Sequence, residues 1–149
     1  MKKLFLILVL FTSTILCSMA QIYKNSSNIA LNGYDVVAYH QHHEAQRGQA
    51  TFSTEHQGAV FYFSSESNLK MFKEKPTQYL PQFGGHCAFA MAMKGQMVPS
   101  DPTTFKFHNG RLYLFYNDYF EGSPFNTLIP WVQDEEQLLP KAQANWRKQ

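Results

Sequence analysis

The sequence predicts a small α+β domain in which two β-hairpins are covered by short helices and followed by a helical tail. The first observation behind this is "FKFHNGRLYLFY", where Asn109-Gly110 supplies the positive φ angles of a two-residue primed turn between β-favouring runs. The second is "ATFSTEHQGAVFYFSS", which reads as residues 50–56, a Gln57-Gly58 turn and a second run from Ala59 to Phe63. The third is helix punctuation, caps and stops that lie between and after these runs.

Residues 1–20 have Lys2 and Lys3, an apolar run from Leu4 to Leu16, then Ser18-Met19-Ala20, the pattern of a secretory signal cleaved after Ala20. Bulky Leu16 argues against a lipoprotein signal ending at Cys17. The apolar run is also shorter than the ~20 residues a membrane span needs. Residues 21–30, including Asn25-Ser26-Ser27, read as a loose polar arm. Asn32-Gly33 marks a turn, and Val36 to Tyr39 reads as a short extended run. After the first hairpin, Ser65 is a good N-cap for a short helix that carries Leu69 and Phe72 on one face and stops before Pro76. Ala88 to Met93 lacks β-branched residues and is closed by Lys94-Gly95, which suits a helix beginning near Gly85 or His86. The tail holds one or two helical segments broken at Pro140, with Trp131, Leu138, Leu139 and Trp146 as packing residues. No internal repeat is visible.

Cleavage leaves 129 of the 149 residues, one domain's worth, with eleven basic and eleven acidic side chains. This balance excludes the basic stripe that nucleic-acid binding requires. The eleven phenylalanines, eight tyrosines and two tryptophans that remain can build a large core. The one remaining cysteine cannot close an internal disulfide, so stability must come from packing, a partner or a ligand.

That cysteine, Cys87, comes after Gly84, Gly85 and His86 at an expected helix start, where backbone N–H groups favour the thiolate that attacks disulfides or binds soft metals. The alternative is a buried cysteine packing as a small hydrophobe above a tight glycine turn. In "YHQHHEAQ", His40 and His42 share a face if the stretch is extended, and such a pair can chelate copper or zinc; the alternative is a solvated loop. Met91, Met93 and Met97 read as gap-fillers among aromatic rings. No local signature of a cysteine protease accompanies His86, His108 or Asp101.

The segments "NGYDVVAYH", "YFSSESNLKMFKEKPTQYLPQFGGHCA" and "DPTTFKFHNGRLYLFYN" together resemble the exported branch of the YHS-domain family, in the family's order over most of residues 31–117. The end "KAQANW" is similar to that branch as well. The resemblance implies a YHS/TRASH-like domain over residues 31–118 with residues 119–149 as a helical extension packing on it. In the metal-binding members of the wider group, cysteines stand in Asp-Pro-Val-Cys and Tyr-Phe-Cys-Ser-x-x-Cys segments. The corresponding positions here read Ala38, Ser64 and Asn68, so that thiolate site does not carry over. The branch's Gly-Gly-x-Cys-Ala motif aligns with Gly84, Gly85, Cys87 and Ala88, while His86 departs from the aromatic residue more usual there. Some relatives carry selenocysteine at the Cys87 position, which implies a redox or soft-ligand task.

The functional expectation is an exported binding module for a soft or borderline metal, such as copper or zinc, or for a metal cofactor. Cys87 is the thiolate ligand, with His86, His40 and His42 as candidate co-ligands. The alternatives are a single-thiol redox protein forming mixed disulfides with an exported partner, and an interaction domain with a buried structural cysteine. The expected location is periplasmic or extracellular, with no membrane span after cleavage.

Overall fold

The computed structural model describes residues 21–149, so the expected signal over residues 1–20, with Cys17, lies outside the described residues. The chain forms an α+β fold of three antiparallel hairpins and several helices. Helix α1 spans Val36–His42, strands β1 and β2 span Gln49–His56 and Ala59–Phe63, and helices α2 and α3 span Glu66–Glu74 and Pro76–Tyr79. Helix α4 (Ala88–Lys94) precedes strands β3 (Asp101–His108) and β4 (Arg111–Phe115), the third hairpin of β5 (Asn117–Phe120) and β6 (Ser123–Asn126), and helix α5 (Leu128–Trp146).

The two expected hairpins form at the expected turns, with left-handed φ angles of 49° and 73° at Gln57 and Gly58, and of 49° and 72° at Asn109 and Gly110. Ser65 caps α2 by accepting a 3.1 Å hydrogen bond from the Asn68 amide. Gly95 ends α4 in the left-handed conformation, as Lys94-Gly95 predicts.

Three stretches differ from the sequence reading. Val36 to Tyr39 is helical rather than extended, because the Asp35 carboxylate caps α1 by accepting from the amides of Val37 and Ala38 at 2.8 and 3.2 Å. That cap, together with complete burial of Val36, Val37 and Tyr39, overrides the β preference of two valines. Residues 21–30 are packed rather than loose. Ile22 is buried, the Tyr23 amide donates to the Gly84 carbonyl at 2.8 Å, and the Ala30 amide donates to the Val60 carbonyl. Asn25 shapes a turn within this arm by accepting from the amides of Ser27 and Ile29. In the tail, residues 117–126 form a hairpin around Glu121-Gly122, and α5 then runs through Pro140. Its irregular point is Asp134, at φ −129°; Glu136, whose carbonyl Pro140 leaves unpaired, is exposed.

Strand β4 divides the core. Leu112 and Leu114 face one cluster with Val36, Tyr39, Phe61, Phe63 and Phe72, whereas Tyr113 and Phe115 face another with Phe83, Met91, Trp131 and Leu138. The two-residue period of a strand thus feeds two apolar layers at once.

The backbone also contains a repeat. Each residue of 31–63 has a counterpart 52 positions later, as Asp35 has in Cys87. At this offset α1 matches α4, β1 matches β3 and β2 matches β4, end for end. Leu31, Asn32 and Gly33 have φ of 49°, 53° and 83°, and Phe83, Gly84 and Gly85 have 55°, 61° and 85°. The Asp35 amide donates to Gln46 and the Cys87 amide to Val98, at 2.8 and 2.9 Å, again at corresponding positions. The register slips between Gln49 and Ser53 in one hairpin and between Asp101 and Phe105 in the other. Only Gly33/Gly85, Ala38/Ala90, Thr51/Thr103, His56/His108, Gly58/Gly110 and Phe63/Phe115 are identical, so the sequence alone conceals the repeat.

Candidate functional site

Gly84 and Gly85 set the backbone that presents Cys87. A Cβ on Gly84 would stand 2.0 Å from the Gln21 carbonyl oxygen, and one on Gly85 would stand 2.4 Å from Leu31 Cδ2, both at positive φ. The glycines therefore let the N-terminal arm and the core close on this turn. Ala88, fully buried, begins α4.

Cys87 is the N-cap of α4 and is fully buried, its sulfur accepting from the Ala90 amide at 3.5 Å. The Thr127 hydroxyl lies 3.4 Å from the same sulfur and gives its single proton to the Tyr116 carbonyl at 2.9 Å. In this arrangement the Cys87 thiol donates to Thr127. Cys87 lines a cleft of about 300 Å³ with Phe89, Ala90, Lys94, Gln96, Val98, Tyr116, Phe120, Phe125 and Thr127. Most of these residues are apolar or aromatic, and Lys94 is the one charged side chain among them.

His86 is not a lining residue of this cleft. Its ring lies against Tyr23 and Trp146, with centroids 5.6 and 6.4 Å away, and Nδ1 donates to the Phe83 carbonyl at 3.0 Å. Burial lowers its pKa below the ordinary histidine value, partly opposed by that hydrogen bond. His86 therefore ties the N-terminal arm to α5 rather than joining Cys87.

The helical form of α1 also separates the other candidate pair. Residues two apart on a helix point to different sides, so His40 and His42 do not share a face. His42 is exposed, while His40 turns its ring edge-on to Phe107 and Tyr79, with Nε2 buried and unpartnered. Burial holds the His40 pKa below its ordinary value.

Ala38, Ser64 and Asn68 do converge, around Asp35. Oδ1 accepts from Val37 and Ala38; Oδ2 accepts from the Ser64 amide and hydroxyl at 2.8 and 2.7 Å and from Asn68 Nδ2 at 2.7 Å. Five donors spend the lone pairs of one fully buried carboxylate, leaving none for a cation. A metal does not fit there. Nor does Cys87 head a closed metal site, since no three His, Cys, Asp or Glu side chains are grouped for one among the described residues. A broader hollow on α2, lined by Glu66, Ser67, Leu69, Lys70, Lys73 and Glu74, contains none of the candidate residues.

Sequence reading missed Asp35, Lys94 and the Thr127-Tyr116 pair. Asp35 was detectable as a cap residue before an apolar run; Tyr116 and Thr127 meet at Cys87 where the third hairpin begins and ends, and Lys94, on the helix that Cys87 caps, joins them as a lining residue of the cleft. No helix of the described residues is long and apolar enough to cross a membrane. No family model, curated protein or solved structure matches the chain.

Proposed function

We propose that the chain is an exported binding module of the YHS type whose ligand is a small molecule received in the cleft at Cys87. The observation that carries this reading is the coincidence of the one free cysteine of the described residues with an aromatic-lined cleft of small-molecule size. The YHS resemblance gains support from Ala38 meeting the neighbouring pair Ser64 and Asn68, which lie more than twenty residues further along the chain, around one carboxylate. Export rests on the signal pattern of residues 1–20.

Copper or zinc fits this reading as part of a small molecule that brings its own remaining ligands, with Cys87 as the single protein ligand. Binding at sulfur then displaces the thiol proton, hydrogen-bonded to Thr127 before binding, to solvent or to a basic group of the incoming molecule. Disulfide exchange with a macromolecular partner is disfavoured by burial, because the partner's disulfide must reach a fully buried sulfur.

The test is retention of Cu(I) and Zn(II) through gel filtration by residues 21–149, wild type and Cys87→Ser. The expected result is no stoichiometric retention of the bare ions by either protein. One equivalent held by the wild type and lost in Cys87→Ser would replace the small-molecule reading with a closed metal site.

A further inference from the structure

The repeat gives the Cys87 cleft a counterpart within the same chain. Asp35 stands at the Cys87 position of the first unit, and its Oδ1 accepts from Ala38 as Cys87 Sγ accepts from Ala90. Just beyond the repeat, Ser64 and Asn68 close over Asp35, whereas the positions 52 residues later, Tyr116 and Phe120, line the cleft. The two units part company in the segment after each hairpin. Beyond Phe63 the chain enters α2, which returns buried Asn68 to the carboxylate. Beyond Phe115 it enters the β5–β6 hairpin, which leaves Phe120 and Phe125 49% and 36% exposed beside the opening. The first unit fills this place with its own side chains, and the second keeps it as a cleft.

The lining indicates what fills it. Phe89, Phe120, Phe125 and Val98 offer an apolar wall, with Gln96 as a polar group. The ammonium of Lys94 lies 5.9 Å from the Phe120 ring centroid and belongs to neither ion pair found among the described residues. Glu121, next to Phe120 in sequence, is not a lining residue. We infer that the cleft binds a small apolar molecule carrying one anionic group, its body against Phe89, Phe120 and Phe125 and its charge at Lys94. This rests on the cleft being the ligand site. The volume, at the lower end of the ~300–1,000 Å³ range of small-molecule pockets, limits the occupant to a small carboxylate or similar anion.

The experiment titrates isotope-labelled residues 21–149 with 4-phenylbutyrate, its neutral amide and 4-phenylbutylamine, monitoring amide signals and the rate of Cys87 alkylation by iodoacetamide. The carboxylate is expected to shift the signals of Ala90, Val98, Phe125 and Thr127, to slow alkylation, and to bind about tenfold tighter than the amide. Lys94→Gln removes that advantage, and Lys94→Glu transfers it to the amine. Equal binding of carboxylate and amide, or a Lys94→Gln protein that keeps the preference, overturns the anion assignment and leaves the cleft as a ligand site. Absence of binding and of protection with all three probes overturns the cleft itself.

Discussion

At Asp35, five donors from two segments, residues 37–38 and 64–68, meet one buried carboxylate. Asp35→Ala takes away the α1 cap, leaves the Ser64 amide unpaired and reduces Asn68 Nδ2 to its 3.2 Å bond with the Ser64 hydroxyl, a loss of about 3 kcal/mol in urea unfolding. Gly84 is constrained by space. Gly84→Ala drives a methyl into the Gln21 carbonyl, so the arm detaches; the Tyr23 amide loses its hydrogen-exchange protection and stability falls by more than ~1 kcal/mol. The sequence singled out Gly84 and Gly85 and offered a tight turn as one of two readings; the first unit makes the same turn with Asn32 at the Gly84 position, so what excludes a side chain at Gly84 is the Gln21 carbonyl rather than the turn itself. It could not show that His86 and Cys87 diverge, because adjacency along the chain does not determine where two side chains point.

At the scale of elements, the first two hairpins were legible because their turn dipeptides, Gln57-Gly58 and Asn109-Gly110, sit between β-favouring runs. The third was not. Glu121 is an unusual residue for positive φ, Pro124 breaks the strand pattern, and β5 is exposed throughout. α1 was hidden by its valines. The helical tail was legible, with Trp131, Leu138, Leu139 and Trp146 packing as expected, but its continuity through Pro140 was not, because tertiary contacts hold that helix. Glu135 anchors that helix next to the irregular Asp134: its carboxylate pairs with Lys106, accepts from Trp131 Nε1 at 3.1 Å and lies 3.4 Å from His108. Glu135→Ala should lower stability by about 1–2 kcal/mol and shift Trp131 fluorescence to the red.

At the scale of the whole molecule, two apolar layers share β4, so packing on one side is coupled to the other through a single strand. The repeat that organises them was illegible because six identities over 33 positions fall on turn, helix and strand sites that many sequences would share. Stability should also depend on pH as a global property. His40 and His86 have folded pKa values below 6.5, so the unfolded chain binds protons first and stability falls as pH drops below about 6.5. Burial raises the Glu135 carboxyl, but its hydrogen bonds and the charges of Lys106 and His108 bring it below 4.5, giving a further loss in stronger acid. Urea midpoints measured from neutral pH downward should show both phases. His86→Phe, which keeps the ring contacts with Tyr23 and Trp146 and cannot be protonated, should shrink the first phase at a cost of about 1 kcal/mol at neutral pH.

Cys87 belongs, on this reading, to a cleft that small molecules enter, and reagent size tests that most directly. Folded residues 21–149 are treated in parallel with iodoacetamide and with a polyethylene-glycol maleimide, and Cys87 modification is measured by mass spectrometry. Iodoacetamide is predicted to label Cys87 well before global unfolding while the bulky maleimide does not. Labelling by both reagents only at the rate of global unfolding would contradict the cleft and leave Cys87 as a packing residue.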